Sequence, residues 1–268
     1  MPMPHTQSGP AHRLAARLTA WSPRSLLRPV TNALLAQSCA LCQLPSGPSP
    51  LCPGCAQDLP HLACANGHRC TRCALPYAPG LTHCPDCARH APSFDTAHAV
   101  WAYDFPIDTL IRDFKYGHHL YLGRFFAEHL ARGLQADWAA AGQRPPELIV
   151  PMPLHANRLR TRGFNQAAEI AHHVGRLLDI PCAIDALRRL HDTPPQANLH
   201  RDERWQNLRG AFGCPQPLST RHVLLIDDVL TTGASLSACA DVLRHAGAER
   251  VDVAVIARTP EPFTSHHA

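Results

Sequence analysis

The run Val223-Leu224-Leu225-Ile226-Asp227-Asp228-Val229-Leu230-Thr231-Thr232-Gly233-Ala234-Ser235 constrains the fold of this 268-residue chain more than any other segment. Val223 to Ile226 is continuously apolar, as a parallel strand buried on both faces must be, so a strand is expected over His222–Asp227. Beyond it Leu236, Ala240 and Leu243 recur at helical spacing, predicting a helix over Ser235–Ala246. The turn between them is rich in hydroxyls and carries a glycine. A turn that opens a helix presents unsatisfied N–H groups and a positive dipole end, which together bind phosphate. Gly233 lets a ligand approach the backbone closely, and Thr231, Thr232 and Ser235 add hydroxyl donors around Ala234. Asp227 and Asp228 are unsuited to hold phosphate. They suit the vicinal hydroxyls of a sugar, or a magnesium ion shared with the ligand.

Cysteine supplies the second constraint, because nine of the twelve lie between Cys39 and Cys87. Eight form C-x-x-C pairs: Cys39 with Cys42, Cys52 with Cys55, Cys70 with Cys73, and Cys84 with Cys87. Nine residues separate the first two pairs and ten the second two, and the halves end alike in Cys52-Pro53-Gly54-Cys55 and Cys84-Pro85-Asp86-Cys87. This is an internal repeat of one small unit. Two thiolates on a tight turn can take adjacent corners of a tetrahedron, and a second turn supplies the others, giving a closed structural zinc site. Such short segments bury too little apolar surface to fold alone, so the metal would supply folding energy. One or two zinc ions are expected, with ligand sets either sequential or interleaved. An iron–sulfur cluster fits the pairs as well, although the regular ribbon-like separations favour zinc. Redox-active pairs belong in a βαβ setting that this Pro-rich stretch lacks. Cys64, His61, His68 and His83 are read as bystanders.

The formal charge of +4 comes from 25 basic and 21 acidic residues. Arg13, Arg17, Arg24 and Arg28 precede residue 39 with no acid among them, and residues 39–268 balance to zero. A protein that coats nucleic acid through overall charge is excluded, since such affinity scales with the phosphates neutralised. No apolar run approaches the ~20 residues of a membrane span. Pro2, Pro4 and Pro10 also break the pattern of a signal peptide, so a cytoplasmic location is expected.

Further segments join these two. Phe114-Lys115-Tyr116-Gly117 closes an amphipathic stretch, and Lys115 is the one lysine among the 25 basic residues. A strand is expected at Leu148–Val150, followed by a loop delivering Arg158, Arg160 and Arg162 on one side, then a helix over Phe164–Leu178. Arginine forks suit bidentate phosphate contacts. A further strand is expected at Arg250–Ile256, with fraying from Thr259 onward. The polar, Pro-broken stretch 191–209 holds Thr193, Gln196, Leu199, Arg201, Arg204 and Asn207, and Gly210-Ala211-Phe212 follows it.

Strand, acid pair and Thr231-Thr232-Gly233-Ala234-Ser235 resemble the fingerprint of the type I phosphoribosyltransferases. With the cysteine repeat in front, the chain resembles the ComF family across residues 39–258. The resemblance implies an α/β domain with a mostly parallel sheet flanked by helices, preceded by a small zinc ribbon module. Residues 1–38 would be a basic leader, partly helical or disordered. Residues 39–90 would form the double ribbon, and 91–268 the phosphoribosyltransferase-like domain. It further implies phosphoribosyl pyrophosphate with magnesium as ligand, and a role in natural competence involving single-stranded DNA and a competence helicase. The 5-phosphate would lie on Thr231 to Ser235 and the ribose hydroxyls on Asp227 and Asp228. Lys115, the three arginines, Gln196 and Arg204 would reach other parts of the ligand. A mobile loop from 191–209 would exclude water.

Two readings follow. As an enzyme, the protein transfers the phosphoribosyl group to an acceptor through an oxocarbenium-like transition state. Thr231 stands where purine-salvage transferases commonly carry an acid, which removes an obvious general base for a purine. As a binding protein, it senses the ligand or holds single-stranded DNA through Arg158 to Arg162, the zinc module and the leader. The small number of aromatic residues limits base stacking.

Overall fold

The computed structural model describes residues 37–62, 69–77, 83–117, 119–191, 208 and 210–260. The leader up to residue 36, Cys64, His68, Gln196 and Arg204 lie outside them, as does nearly all of the 191–209 loop. Two short helices, α1 (Pro53–Gln57) and α2 (Pro85–Arg89), belong to the cysteine-rich segment. The remainder runs β1 (Thr96–Ala102), α3 (Ile107–Tyr116), α4 (Tyr121–Ala141), β2 (Leu148–Pro151), α5 (Ala156–Arg162) and α6 (Gln166–Leu178). It continues β3 (Arg188–Arg189), β4 (Phe212–Gly213), β5 (His222–Leu230), α7 (Ala234–His245) and β6 (Arg250–Arg258).

Strands β1, β6, β5 and β2 form one sheet in that order, all parallel, and β3 pairs with β4 as a separate two-stranded antiparallel sheet. Alternation along each strand sends successive side chains to opposite faces. Leu224, Ile226, Ala254 and Ile256 therefore meet Leu110, Phe114, Phe126, Leu130 and Ile170 of α3, α4 and α6. Val223, Leu225, Val251, Val253 and Val255 meet Leu236, Cys239, Ala240 and Leu243 of α7. Both faces are dry, which is why these strands read as unbroken apolar runs.

The strand over 222–227 extends three residues further than its apolar run suggested, to Leu230. Its neighbour β6 likewise reaches Arg258, and the ladder continues through Asp227↔Val255, Val229↔Ala257 and Leu230↔Arg258. Asp228 thus lies within the strand beside Asp227, not beyond its end. Thr259, the expected start of fraying, is held by its N–H donating to Leu230 O at 3.0 Å, and residues 261–268 of that stretch lie outside the described residues. The loop expected to carry Arg158, Arg160 and Arg162 is instead the short helix α5. His155 caps it by accepting from Asn157 N, and Gly163 ends it at φ 81°. Helix α6 starts two residues later than expected, because the Asn165 side chain accepts from Ala167 N and Ala168 N as its N-cap.

The cysteine-rich segment repeats in backbone as it does in sequence. Gln43 N donates to Cys39 O at 3.0 Å and Ala74 N to Cys70 O at 2.8 Å, with Gln43 and Ala74 both left-handed at φ 66° and 60°. Cys39 N donates to Leu44 O and Cys70 N to Leu75 O, closing the same small hairpin twice. This segment covers the outer edge of β1: Ala97 N donates to Thr71 O, Ala102 N to Pro60 O, and Arg69 Nη1 to Ala99 O. Cys39, Leu51 and Leu59 pack into the same core as Trp101 of β1, which is fully buried. The described residues contain no helix long and apolar enough to cross a membrane.

Candidate functional site

The C-terminal ends of parallel strands are where ligands bind in open α/β sheets, and β5 carries its two acids toward that end. Being consecutive, Asp227 and Asp228 leave the strand on opposite faces. Asp228 faces α3, whose amphipathic pattern buries Ile107, Leu110, Ile111 and Phe114 and carries Lys115 in its last turn. Lys115 Nζ lies 2.7 Å from Asp228 Oδ2, with both side chains largely buried. Burial works against the ammonium, but the Asp228 carboxylate, with Asp227 behind it, holds the lysine pKa above its ordinary value. Asp227 is pushed up to about 7 by burial and by the neighbouring Asp228 charge. The Asp228 N–H, 2.8 Å from Asp227 Oδ1, and the charges of Lys115 and Arg189 pull the other way.

After the acids the chain enters α7 through Gly233, left-handed at φ 79° and serving as N-cap without a side-chain cap. A Cβ added there would meet Leu230 and Phe94 at ordinary contact distance, so the requirement for glycine at this position is conformational. Ala234 N reaches Thr232 Oγ1 at 3.5 Å, and Ser237 N donates to Gly233 O at 2.8 Å to start the helix. Thr231, Thr232, Gly233, Ala234 and Ser235 therefore wrap a helix N-terminus, a geometry that accepts a phosphate group.

On α5, Arg158 and Arg162 are one turn apart, while Arg160 lies between them on another side of the helix, exposed and bonded to Asn157. The three side chains do not share one side. Arg162 is the member joined to the acids' surroundings: Nη2 donates to Tyr116 Oη at 2.9 Å, Nη1 to Gln166 Oε1 at 3.1 Å, and its guanidinium covers the Tyr116 ring at 5.0 Å. Tyr116 adjoins Lys115 on α3.

Two residues near the site escaped sequence reasoning. Arg189 on β3, stacked on Phe212 at 5.5 Å, adds positive field at Asp227. Arg258 ends β6 only 7% exposed. A cation closing an otherwise apolar, buried run demands partners, and that was the signal available in the sequence.

The eight paired cysteines gather into two sequential sets, Cys39/Cys42/Cys52/Cys55 and Cys70/Cys73/Cys84/Cys87, with sulfurs inside each set within 4.8 Å of one another. Interleaving is thereby excluded. Four thiols that close cannot all ionise without a cation: hydrogen bonds to Cys42 and Cys52 push Cys55 up to about 12, and those to Cys70 and Cys73 push Cys87 up. A divalent metal relieves that conflict, and all-sulfur donor sets of four with no open position suit zinc. Cys84 N and Cys87 N donate to the Sγ atoms of Cys70 and Cys84, orienting the donors of the second set. His61 and His83 belong to neither set.

Comparison with known proteins bears on the family of the chain. The phosphoribosyl transferase domain model matches residues 161–263. Competence protein F of Haemophilus influenzae is 31% identical over 211 residues, covering 78% of this chain and 90% of that protein. DNA utilization protein YhgH of Salmonella typhimurium is 29% identical over 82% of this chain and 96% of its own length. Competence protein ComFC of Streptococcus pneumoniae is 24% identical over 75% and 84% respectively. With a phosphoribosyltransferase-type parallel sheet, a doubled four-cysteine segment before it, and that identity across nearly the whole Haemophilus protein, the chain belongs to the ComF family of competence proteins.

Proposed function

We propose that the protein binds phosphoribosyl pyrophosphate as its magnesium complex at the C-terminal end of β5 and passes the phosphoribosyl group to an acceptor during DNA uptake. The Lys115–Asp228 pair is the observation that carries this reading. An acid pair, one of them neutralised by a buried ammonium, sits shortly before a turn that opens a helix through a left-handed glycine. Thr231 to Ser235 would take the 5-phosphate. Asp227 and Asp228 would accept from the ribose hydroxyls and hold magnesium, whose charge would offset that of the pyrophosphate. Lys115 would supply fixed positive charge as the bond from C1 to pyrophosphate oxygen breaks and an acceptor lone pair replaces it; preorganised charge of this kind contributes most of such rate enhancements. The two cysteine sets would hold one structural zinc each.

Ligand binding without transfer is the second reading, favoured by Thr231, which offers no base for an acceptor proton. The names of the relatives point to the handling of DNA, and the acid-free helix α5 is the proposed contact for a single strand. Calorimetric titration with phosphoribosyl pyrophosphate and magnesium decides the ligand. Binding by the wild type, weakened at least tenfold in Asp227→Asn/Asp228→Asn, is expected; no binding by the wild type would remove the proposal. Pyrophosphate release with an acceptor panel separates transfer from sensing.

A further inference from the structure

Arg258 joins two parts of the molecule that the sequence keeps far apart. Its Nε donates to Cys73 O at 2.8 Å, in the second cysteine set. Its Nη1 lies 3.0 Å from Leu230 O and 2.7 Å from Thr231 O, at the start of the Thr231–Ser235 turn, and 2.7 Å from Thr259 O just after β6. The side chain is almost wholly buried. The guanidinium is a rigid plane, so the position of the Cys73 carbonyl and that of the 230–231 peptides are fixed relative to one another through a single group. Cys73 is itself a sulfur donor of the buried set, and Ala74 after it is held left-handed at φ 60°. Thr231 immediately precedes Thr232 and Gly233, whose conformation opens α7. The strand register adds a second tie, because Arg258 is paired with Ala102 on one side and Leu230 on the other.

We infer that Arg258 is a positioning residue that couples metal retention in the Cys70/Cys73/Cys84/Cys87 set to the shape of the Thr231–Ser235 turn. Displacing Cys73 on metal loss shifts the carbonyls on which the turn is built. By thermodynamic reciprocity, a ligand that binds more tightly to the metal-loaded turn tightens metal binding in that set. Only this last step rests on the phosphoribosyl pyrophosphate reading. Arg69 provides an internal comparison, since it ties the same hairpin to Ala99 of β1 and not to the turn.

The test uses the full chain loaded with zinc, and follows zinc transfer to a chelating dye together with hydrogen exchange of the 230–236 amides. Arg258→Met should release one of the two zinc ions about tenfold faster, the effect of losing one charge-assisted hydrogen bond. It should also speed exchange in 230–236 relative to Leu148–Pro151, a comparison that general destabilisation leaves unchanged. Arg258→Lys, which keeps a donor, should restore part of both effects and carries the test if the methionine variant does not fold. Arg69→Met should speed zinc loss without the local change in the turn. Wild-type release kinetics and turn exchange in both Arg258 variants would overturn the coupling. Should phosphoribosyl pyrophosphate with magnesium bind the wild type yet leave the zinc affinity unchanged in equilibrium competition with the dye, the reciprocal coupling is also overturned. Should it fail to bind at all, the functional proposal falls while the exchange and release data still decide the role of Arg258.

Discussion

Adjacent acids near the end of a buried strand repel, and the residues around Asp227 and Asp228 divide that conflict unequally. Asp228 has Lys115 at 2.7 Å, whereas Asp227 is left with burial and its neighbour's charge and is pushed up to about 7. A carboxyl in that range changes charge under physiological conditions. Affinity for the magnesium complex of phosphoribosyl pyrophosphate should therefore rise with pH through about 7 as Asp227 ionises. Phosphate groups titrate near pH ~6, so the ligand contributes its own pH dependence. Subtracting the Asp227→Asn profile isolates the residue; superimposable profiles would show that Asp227 does not titrate in this range. For folding the sign is reversed. A carboxyl raised in the folded state binds protons more tightly there than when unfolded. Its stabilising contribution is full below the ordinary aspartate range, ~4, and is lost as pH rises through the folded value.

Elements decide which of these residues can act together. Helix α5 places Arg158 and Arg162 on one side and Arg160 on another, and the Tyr116 ring lies under Arg162. If single-stranded DNA crosses this helix, Arg158→Ala/Arg162→Ala should weaken binding at least fivefold in fluorescence anisotropy and lower the salt slope by about 1 to 2, since each phosphate contact releases roughly one counterion. Arg160→Ala alone should do less; equal effects from all three positions would show that the helix face does not matter. The same helix marks the limit of what the sequence discloses. Val223 to Ile226 and the spacing after Gly233 announced β5 and α7 because a doubly buried strand and an amphipathic helix each leave a periodic signature. The doubled C-x-x-C announced its hairpins because ligand geometry fixes local spacing. Residues 156–162, held by the His155 cap and the Gly163 terminator, have too little apolar periodicity to separate a helix from a loop. Pairings across the chain were hidden for a different reason. Lys115 with Asp228 and Arg258 with Cys73 depend on tertiary placement, and nothing local in either partner encodes the other.

At the scale of the whole molecule, the cysteine-rich segment completes the sheet. An exposed parallel edge at β1 would offer unpaired N–H and C=O groups to other chains, and native proteins cover such edges. Here Thr71, Pro60 and Arg69 supply the hydrogen bonds and Leu51 and Leu59 the apolar cover over Trp101. The two cysteine sets are buried unequally. In the first, Cys42 is exposed and Cys52 and Cys55 are half-buried; in the second all four cysteines are buried and Cys73 is gripped by Arg258. A chelator should therefore strip zinc in two phases, the Cys39/Cys42/Cys52/Cys55 set first. The fast phase should shift tryptophan emission to the red as Leu51 and Leu59 release Trp101, and the second phase should free the β1 edge at Thr71 and Arg69 and start light scattering. Cys42→Ser should abolish the fast phase and leave the slow one. A fully stripped protein that stays monodisperse with unchanged emission would show that the cysteine hairpins are not what keeps this edge closed.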